Sequence, residues 1–459
     1  MARPKHKPRS KTKLPVVHRH AAGIDIGSTF HVVAIPNHCD PQPVRSFKSF
    51  TSDLHRLAEW LQNSGITTVA MESTGVYWIP AYEILEQHGF EVLLVNARFV
   101  KNVPGRKTDV NDAQWIQRLH EHGLLRGSFR PQEQVVALRS FLRQRERLTQ
   151  SRARHIQHMQ KALMQMNLQL HHVLQDITGV TGMAIIHAIL DGEREPESLA
   201  RFRDCRCKAT VETFQSALTG NYRAEHIFAL QQAIELYEVF SEKIAACDQE
   251  IEVVLSQLNV DQPPPTEELP PRRHKTRSRN EPAFDVRGLL FGLLGVDLTQ
   301  IHGVGPFLAL QLIAECGVDM SRWPSAKHFT SWLTLAPGNK ISGGKVLSSK
   351  TRRSKNRAAH LFRLAARSVS RTNTALGAFY RRLGVRVGKA KAITATARKL
   401  AVLFFHGLRD GVAYLDPGAD YYEQNHKSRV LANLKRRAQE MGYQLIEEVV
   451  PEPAVVGVS

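Results

Sequence analysis

Four carboxylates carry the most specific chemistry in this sequence: Asp25, Glu72, Asp109 and Asp112. Breaking and joining phosphodiesters calls for divalent metal, because two ions about 4 Å apart stabilise both the attacking and the leaving oxygen, and hard cations take carboxylate oxygens. Asp25 stands in the apolar run AAGIDIG and Glu72 in TTVAMES. An acid embedded in an otherwise apolar strand is costly unless something binds it. Asp109 and Asp112 follow in KTDVNDAQW, where a spacing of three at a helix start puts both on one face. That pair alone also reads as an N-cap and a first-turn acid favoured by the helix dipole. All four in this order on a strand-and-helix background favour a metal site for Mg²⁺, with Mn²⁺ also acceptable to oxygen ligands. Lys107, just ahead, is a candidate phosphate contact.

A second candidate lies far downstream, in PGNKISGGK, where Ser342 precedes two glycines between Lys340 and Lys345. Such a loop lets backbone N–H groups approach a phosphate. A serine there can serve as nucleophile and hold a cut strand as an ester; it can equally be an ordinary turn serine, and Ser348 and Ser349 compete for the role. Upstream, LTQIHGVGPFLALQLIAECG has the form of a helix-hairpin-helix, with Gly303 and Gly305 offering N–H groups to a phosphate. Downstream, Arg353, Arg357, Arg363, Arg367 and Arg371 form a cationic stripe at mostly helical spacing, and Arg352 and Lys355 are further candidate phosphate contacts.

The elements that must position these groups read as follows. Residues 1–17 are a basic arm, with six Lys or Arg among the first thirteen residues. From Ala21 to about Leu125, strands AAGIDIG and FHVVAI, joined as a hairpin through Gly27, Ser28 and Thr29, are followed by DLHRLAEWLQ (helix), TTVAMES (strand), YWIPAYEILEQHG (helix) and FEVLLVN (strand). This makes residues 18–130 an α/β domain on a mixed sheet. Over 131–260, Ile156, Met159, Leu163, Met166, Leu170 and Val173 form one heptad seam and Ile227 to Leu258 another, which predicts a coiled coil or a subunit seam. Ser241 interrupts the second seam, where Phe240 substitutes. His155, His158, His171 and His172 are expected at the surface or facing RNA. Residues 261–283 form a Pro-rich, basic, exposed linker, 284–414 a mainly helical domain, and 415–459 a tail with a helix from Tyr421 to Met441.

Composition narrows the function. The 459 residues carry 62 Lys and Arg against 43 Asp and Glu, a net charge of +19, which points to a polyanionic partner. Met320 to Arg409 alone holds twenty Lys or Arg and no acid. Without an apolar run of membrane-spanning length or a signal-peptide pattern, the expectation is a protein of the bacterial cytoplasm, associated with the nucleoid and not with membrane. Five scattered cysteines exclude a disulfide scaffold, and Cys205 with Cys207 lacks a second pair for zinc. GIDIGST also resembles the phosphate hairpin of actin-like ATPases, but no matching acidic hairpin follows.

GIDIGS, VAMESTGVYW, KTDVNDAQW, IHGVGP and ISGGK, in this order from about His18 to Asp410, resemble the insertion-sequence transposases of the IS-one-ten type, including the eleven-eleven subgroup. The resemblance implies a RuvC-like (RNase H-like) N-terminal domain with a DEDD metal site at Asp25, Glu72, Asp109 and Asp112. It further implies a coiled-coil middle and a C-terminal transposase domain with Ser342 as catalytic serine. It also implies donor and target DNA, a structured bridge RNA as guide, and a dimer or tetramer building composite sites. Two departures stand out: the linker is longer than expected for the family, and one serine, where family members often have two, precedes the glycines. The alternatives are a RuvC-like nuclease of the junction-resolvase type, cutting by water without a covalent intermediate, and a non-catalytic nucleic-acid scaffold.

Overall fold

The computed structural model describes residues 14–96, 109–260, 262, 263, 265, 267–273 and 280–446, with the side chains of residues 109–111 outside that set. Most of the N-terminal basic arm, Lys107 and parts of the linker and tail therefore lie outside the described residues. The chain divides into two compact units, Met1–Arg130 and Pro131–Ser459.

In the first unit, β1 (Ala21–Ile26) and β2 (Phe30–Ala34) form the expected antiparallel hairpin, with Asp25 opposite Val32. β3 (Val44–Lys48) adds antiparallel to β2 and is a strand the sequence pattern does not announce, because VRSFK holds two apolar residues and sits at an edge. α1 (Thr51–Asn63) leads to β4 (Thr68–Glu72), and α2 (Trp78–Gln87) to β5 (Glu91–Val95). β4 pairs parallel with β1 and β5 parallel with β4, giving the order β3-β2-β1-β4-β5. Both faces are covered, so the central strands read as continuous apolar runs. On one face Ala22, Ile24, Val33, Val69 and Met71 pack with Leu57 and Leu61 of α1 and Leu85 of α2. On the other, α3 (Asp109–Glu121) packs Ile116 and Leu119 against Ala70 and Val95, and Ala113 against Val32 and Ala34.

The second unit begins with α4 (Glu133–Gln165), which runs antiparallel to α9 (Ala224–Val260). Arg145 meets Asp248 at 2.5 Å, His155 stacks on Phe240 at 5.3 Å, and Leu163 shares a core with Leu230 and Ile234. His155 is thus half-buried in the helix pair, a correction to the expectation of a surface residue, because its ring stacks on Phe240. The first seam also stops earlier than its heptads suggest. Asn167 takes φ 57°, Leu168 N donates to Leu163 O (2.9 Å) and Asn167 N to Met164 O (3.0 Å), the left-handed cap that ends a helix. Met166, Leu168 and Leu170 turn instead into a core closed by α5 (Leu170–Val173), α6 (Val180–Leu190), α7 (Pro196–Ala200) and α8 (Val211–Leu218), through Ile185, Ile189, Leu199 and Phe214.

Beyond the linker come α10 (Val286–Leu294), a single 3₁₀ turn Leu298–Gln300, α11 (Pro306–Cys316), α12 (Ala326–Trp332), the hairpin β6 (Lys340–Ser342) and β7 (Lys345–Ser348), α13 (Arg357–Val369), α14 (Ala375–Val387), α15 (Lys389–Asp410) and α16 (Ala419–Glu440). Phe329, Phe362, Phe404 and Phe405 are fully buried and pack ring on ring, with Phe362 and Phe404 at 5.4 Å. The described residues of the linker are mostly exposed, and its end is fastened to the C-terminal helices. Arg287, ion-paired to Asp297, donates to Pro270 O, and Arg272 reaches Asp285 at 3.0 Å. Arg145 ties this region to the long helices, donating to Asn280 O (3.0 Å) and lying 4.9 Å over the Phe307 ring of α11.

Candidate active site

The N-terminal acids are brought to one end of the sheet by the way α3 crosses β1. Val17 N and His18 N donate to Glu121 O at 2.8 and 2.9 Å, which sets the last turn of α3 beside the entrance to β1. A Cβ on Gly23 would stand 2.2 Å from Gln117 N and 2.5 Å from Ala113 O, so the middle of the helix touches the strand backbone there. Asp25, two residues on and on the same face, therefore lies level with the first turn of α3, which carries Asp109 and Asp112. The parallel ladder pairs Gly23 with Ala70 and Ile24 with Met71, and one step further sets Glu72 beside Asp25 on that same face.

Asp25, Glu72 and Asp112 are each half-buried. Thr74 Oγ1 donates to Glu72 Oε1 at 3.3 Å, and Asp112 Oδ1 is shielded from solvent. Asp109 is the first residue of α3, with its side chain outside the described residues. As donors these are hard oxygens, which suits Mg²⁺ or Mn²⁺. Among the described residues the three acids do not close into a set whose ligand atoms all lie within 4.8 Å of one another.

Ser342 belongs to the second unit. The loop expected around it is a tight β-hairpin: Ser342 pairs with Lys345, and Gly343 (φ 53°) and Gly344 (φ 75°) form the two-residue turn. Both turn residues are left-handed, which is why glycines stand there. Ser342 is exposed, as are Lys340, Lys345 and the apolar Ile341, Val346 and Leu347. Ser348 differs, being half-buried with its Oγ accepting from Lys350 N at 3.4 Å.

The basic candidates divide by surroundings. Arg353, Lys355 and Arg367 are exposed, Arg352 is exposed and donates to Ser331 O (3.0 Å), and Arg363 is half-buried. Arg357 does not belong to a single-sign stripe. It pairs with Glu146 of α4 and with Glu315 of α11 (3.1 Å), acids from outside the acid-free block. The helix-hairpin-helix is shorter than its sequence suggests, its first helix being the 3₁₀ turn. Gly303 (φ 87°) faces α13, where a Cβ would meet Ala365 O at 2.6 Å, whereas Gly305 caps α11 and is exposed with open space around it.

Two family models match the chain. Residues 22–168 match a transposase model of the DEDD IS110 kind, and residues 297–381 match the transposase IS116/IS110/IS902 family. The chain belongs to the IS110 family of transposases. The first match spans Asp25, Glu72, Asp109 and Asp112, and the second spans Gly303, Gly305 and Ser342. No curated protein matches the chain. An IS110 transposase acts on DNA, cleaving and transferring strands, and DEDD transposases typically use a divalent metal. The mixed N-terminal sheet and helical remainder are consistent with this family. No helix among the described residues is long and apolar enough to cross a membrane.

Sequence reasoning passed over Gly23, which sets the depth at which α3 sits on the sheet. Its signal is present: an isolated glycine inside an apolar strand marks close approach of another backbone.

Proposed function

We propose that this IS110 transposase is a site-specific recombinase in which Asp25, Glu72, Asp109 and Asp112 hold Mg²⁺ in a RuvC-like domain and Ser342 is the nucleophile. The observation that carries the reading is the convergence of Asp25, Glu72 and the first turn of α3 at one end of the sheet. The bound metal would neutralise charge on the scissile phosphate. Ser342 Oγ attacks phosphorus, the Oγ–P bond forms, the bond to one deoxyribose oxygen breaks, and that oxygen leaves as a hydroxyl while the serine proton passes to solvent or a neighbouring base. The ester conserves the bond energy, and rejoining reverses the step. Exposure of Ser342 favours it over the half-buried Ser348, and its place beside the Gly343–Gly344 turn, whose backbone N–H groups can approach a phosphate, favours it over the exposed Ser349.

The stretch from Met320 to Arg409 contains no acid, so it must borrow a metal site. In this reading Ser342 docks against the carboxylates of a second subunit in a dimer or tetramer, with the long helices 131–260 as the coiled-coil scaffold. Gly305, Lys340, Lys345, Arg352, Arg353, Lys355 and Arg367 contact phosphates of donor and target DNA and of a structured bridge RNA that supplies sequence specificity.

Protein, guide RNA and cognate DNA incubated with Mg²⁺ are expected to yield an SDS-resistant protein–DNA adduct, lost in Ser342→Ala. An adduct that persists in Ser342→Ala removes that serine. Free 5′-phosphate ends with no adduct at all favour instead a junction-resolvase type of cleavage by water. Asp25→Ala is expected to abolish cleavage and keep DNA binding.

A further inference from the structure

A second group of metal-ligating side chains lies at the other end of the N-terminal sheet. His20 immediately precedes β1, and His38 and Cys39 stand in the connection between β2 and β3, where Cys39 N donates to Pro36 O at 3.0 Å. The antiparallel register, with Gly23 opposite Ala34, brings the start of β1 and the end of β2 to the same end of the sheet. One ligand atom from each of the three residues, a ring nitrogen or the sulfur, lies within 4.8 Å of the other two. The two imidazoles meet edge to face, with centroids 6.2 Å apart.

These are the donors and spacing of a transition-metal site. Ligands about 2.0–2.3 Å from a tetrahedral ion sit roughly 3.3–3.8 Å from one another, within reach of small side-chain rotations from the arrangement seen. Imidazole and thiolate select zinc-class cations, whereas the carboxylates at the far end of β1 select Mg²⁺. His20 and His38 are exposed and Cys39 is half-buried, so an ion has an open approach on the histidine side. Burial raises the Cys39 thiol pKa, Arg19 opposes that and favours the thiolate while repelling a cation, and Glu121, in the last turn of α3, adds a smaller negative charge favourable to one.

We propose that His20, His38 and Cys39 form a binding site for one zinc-class divalent cation, separate from the carboxylate end, that braces the entrance of β1 against the β2–β3 connection. The fourth position falls to water or a further donor, as three protein ligands leave it open.

Cobalt(II) is the probe. The full-length protein, stripped with chelator and free of nucleic acid, is titrated with Co²⁺ and followed in the near-ultraviolet and visible. The expected result is a thiolate-to-cobalt charge-transfer band that saturates at one equivalent, is displaced by Zn²⁺ and survives a large excess of Mg²⁺. Cys39→Ser is expected to lose the band, and His38→Gln to weaken binding by about tenfold or more. His38 is exposed, so His38→Gln is expected to keep the wild-type far-ultraviolet circular dichroism. Asp25→Asn is expected to keep the band, which separates this site from the proposed catalytic one. Absence of the band in the wild type, or its persistence at full intensity in Cys39→Ser, overturns the proposal.

Discussion

Replacing Gly23 with alanine tests how the sheet and α3 together set the carboxylates. The added methyl would lie 2.2 Å from Gln117 N, 2.5 Å from Ala113 O and 2.8 Å from Gln117 Cα. All three are backbone atoms, so no side-chain rotation relieves the clash. Ordinary contact begins at 3.4 Å, and reaching it requires α3 to retreat from β1 by about 1 Å, at an overpacking cost of about 1–3 kcal/mol. The first turn of the same helix carries Asp109 and Asp112, so the retreat also draws them away from Asp25 and Glu72. A misplacement of about 1 Å in a catalytic constellation costs about a hundredfold in rate. Gly23→Ala is therefore expected to melt several degrees lower and, at a temperature where it is fully folded, to cleave DNA about a hundredfold more slowly. DNA binding is expected to persist, because the exposed cations of the second unit are untouched. Calorimetry, single-turnover cleavage with Mg²⁺ and a gel-shift assay on one preparation read all three. A folded Gly23→Ala protein that cleaves at the wild-type rate would refute the argument that α3 carries metal ligands.

Three further outcomes follow from particular contacts. Arg145→Ala leaves Asp248 buried without the guanidinium that faces it and is expected to destabilise the second unit by about 3–5 kcal/mol in chemical denaturation, whereas replacing both residues with apolar ones restores most of that loss. His120 is held down to about 4 by burial and, less, by the His18 charge, with Thr68 Oγ1 at 2.9 Å from its Nε2. Its folded pKa lies below the unfolded value of 6.5, so the stability from keeping it neutral, up to about 3 kcal/mol, is present above pH 6.5 and lost as pH falls toward 4. His120→Gln is expected to flatten thermal stability across that window, and an unchanged pH profile would count against the burial argument. Gly343→Ala with Gly344→Ala strains two left-handed positions by about 1–2 kcal/mol each; the pair is expected to reduce adduct formation while gel-shift affinity is kept.

Much of the first unit was legible because its strands are covered on both faces: β1, β2, β4 and β5 read as apolar runs. β3 was not legible, since an edge strand needs few apolar residues and VRSFK supplies two. The end of α4 was hidden for a different reason. The heptad pattern continues through Met166 and Leu170, and it is the left-handed turn at Asn167 that redirects those side chains into another core. Asp25 and Glu72 stood out as acids in apolar strands, but their common level comes from ladder register, which sequence does not print. His20, His38 and Cys39 escaped notice because their spacing is fixed by the β1–β2 hairpin and matches no ligand motif. Arg357 shows the converse error: sequence neighbours of one sign suggested a free cation, while its partners Glu146 and Glu315 arrive from other helices.

Those partners also sharpen what the basic side of the second unit can bind. Glu315 is shared by Arg139, Arg143 and Arg357, at 3.7, 2.8 and 3.1 Å. The cavity of about 330 Å³ that they line sets Arg139, Arg143, Lys355, Arg357 and Arg363 against Glu146 and Glu315 alone. Even with both acids counted, five cations face two carboxylates, so the local field repels Mg²⁺ and attracts phosphate. Glu146 and Glu315 instead hold α4, α11 and α13 together through their pairs with Arg139, Arg143 and Arg357. In the function proposed above, metal chemistry and phosphate recognition fall to different units of the chain. A reaction that needs both requires the Ser342 hairpin to meet a set of carboxylates from a first unit, and this requirement gives the proposed composite site its physical basis.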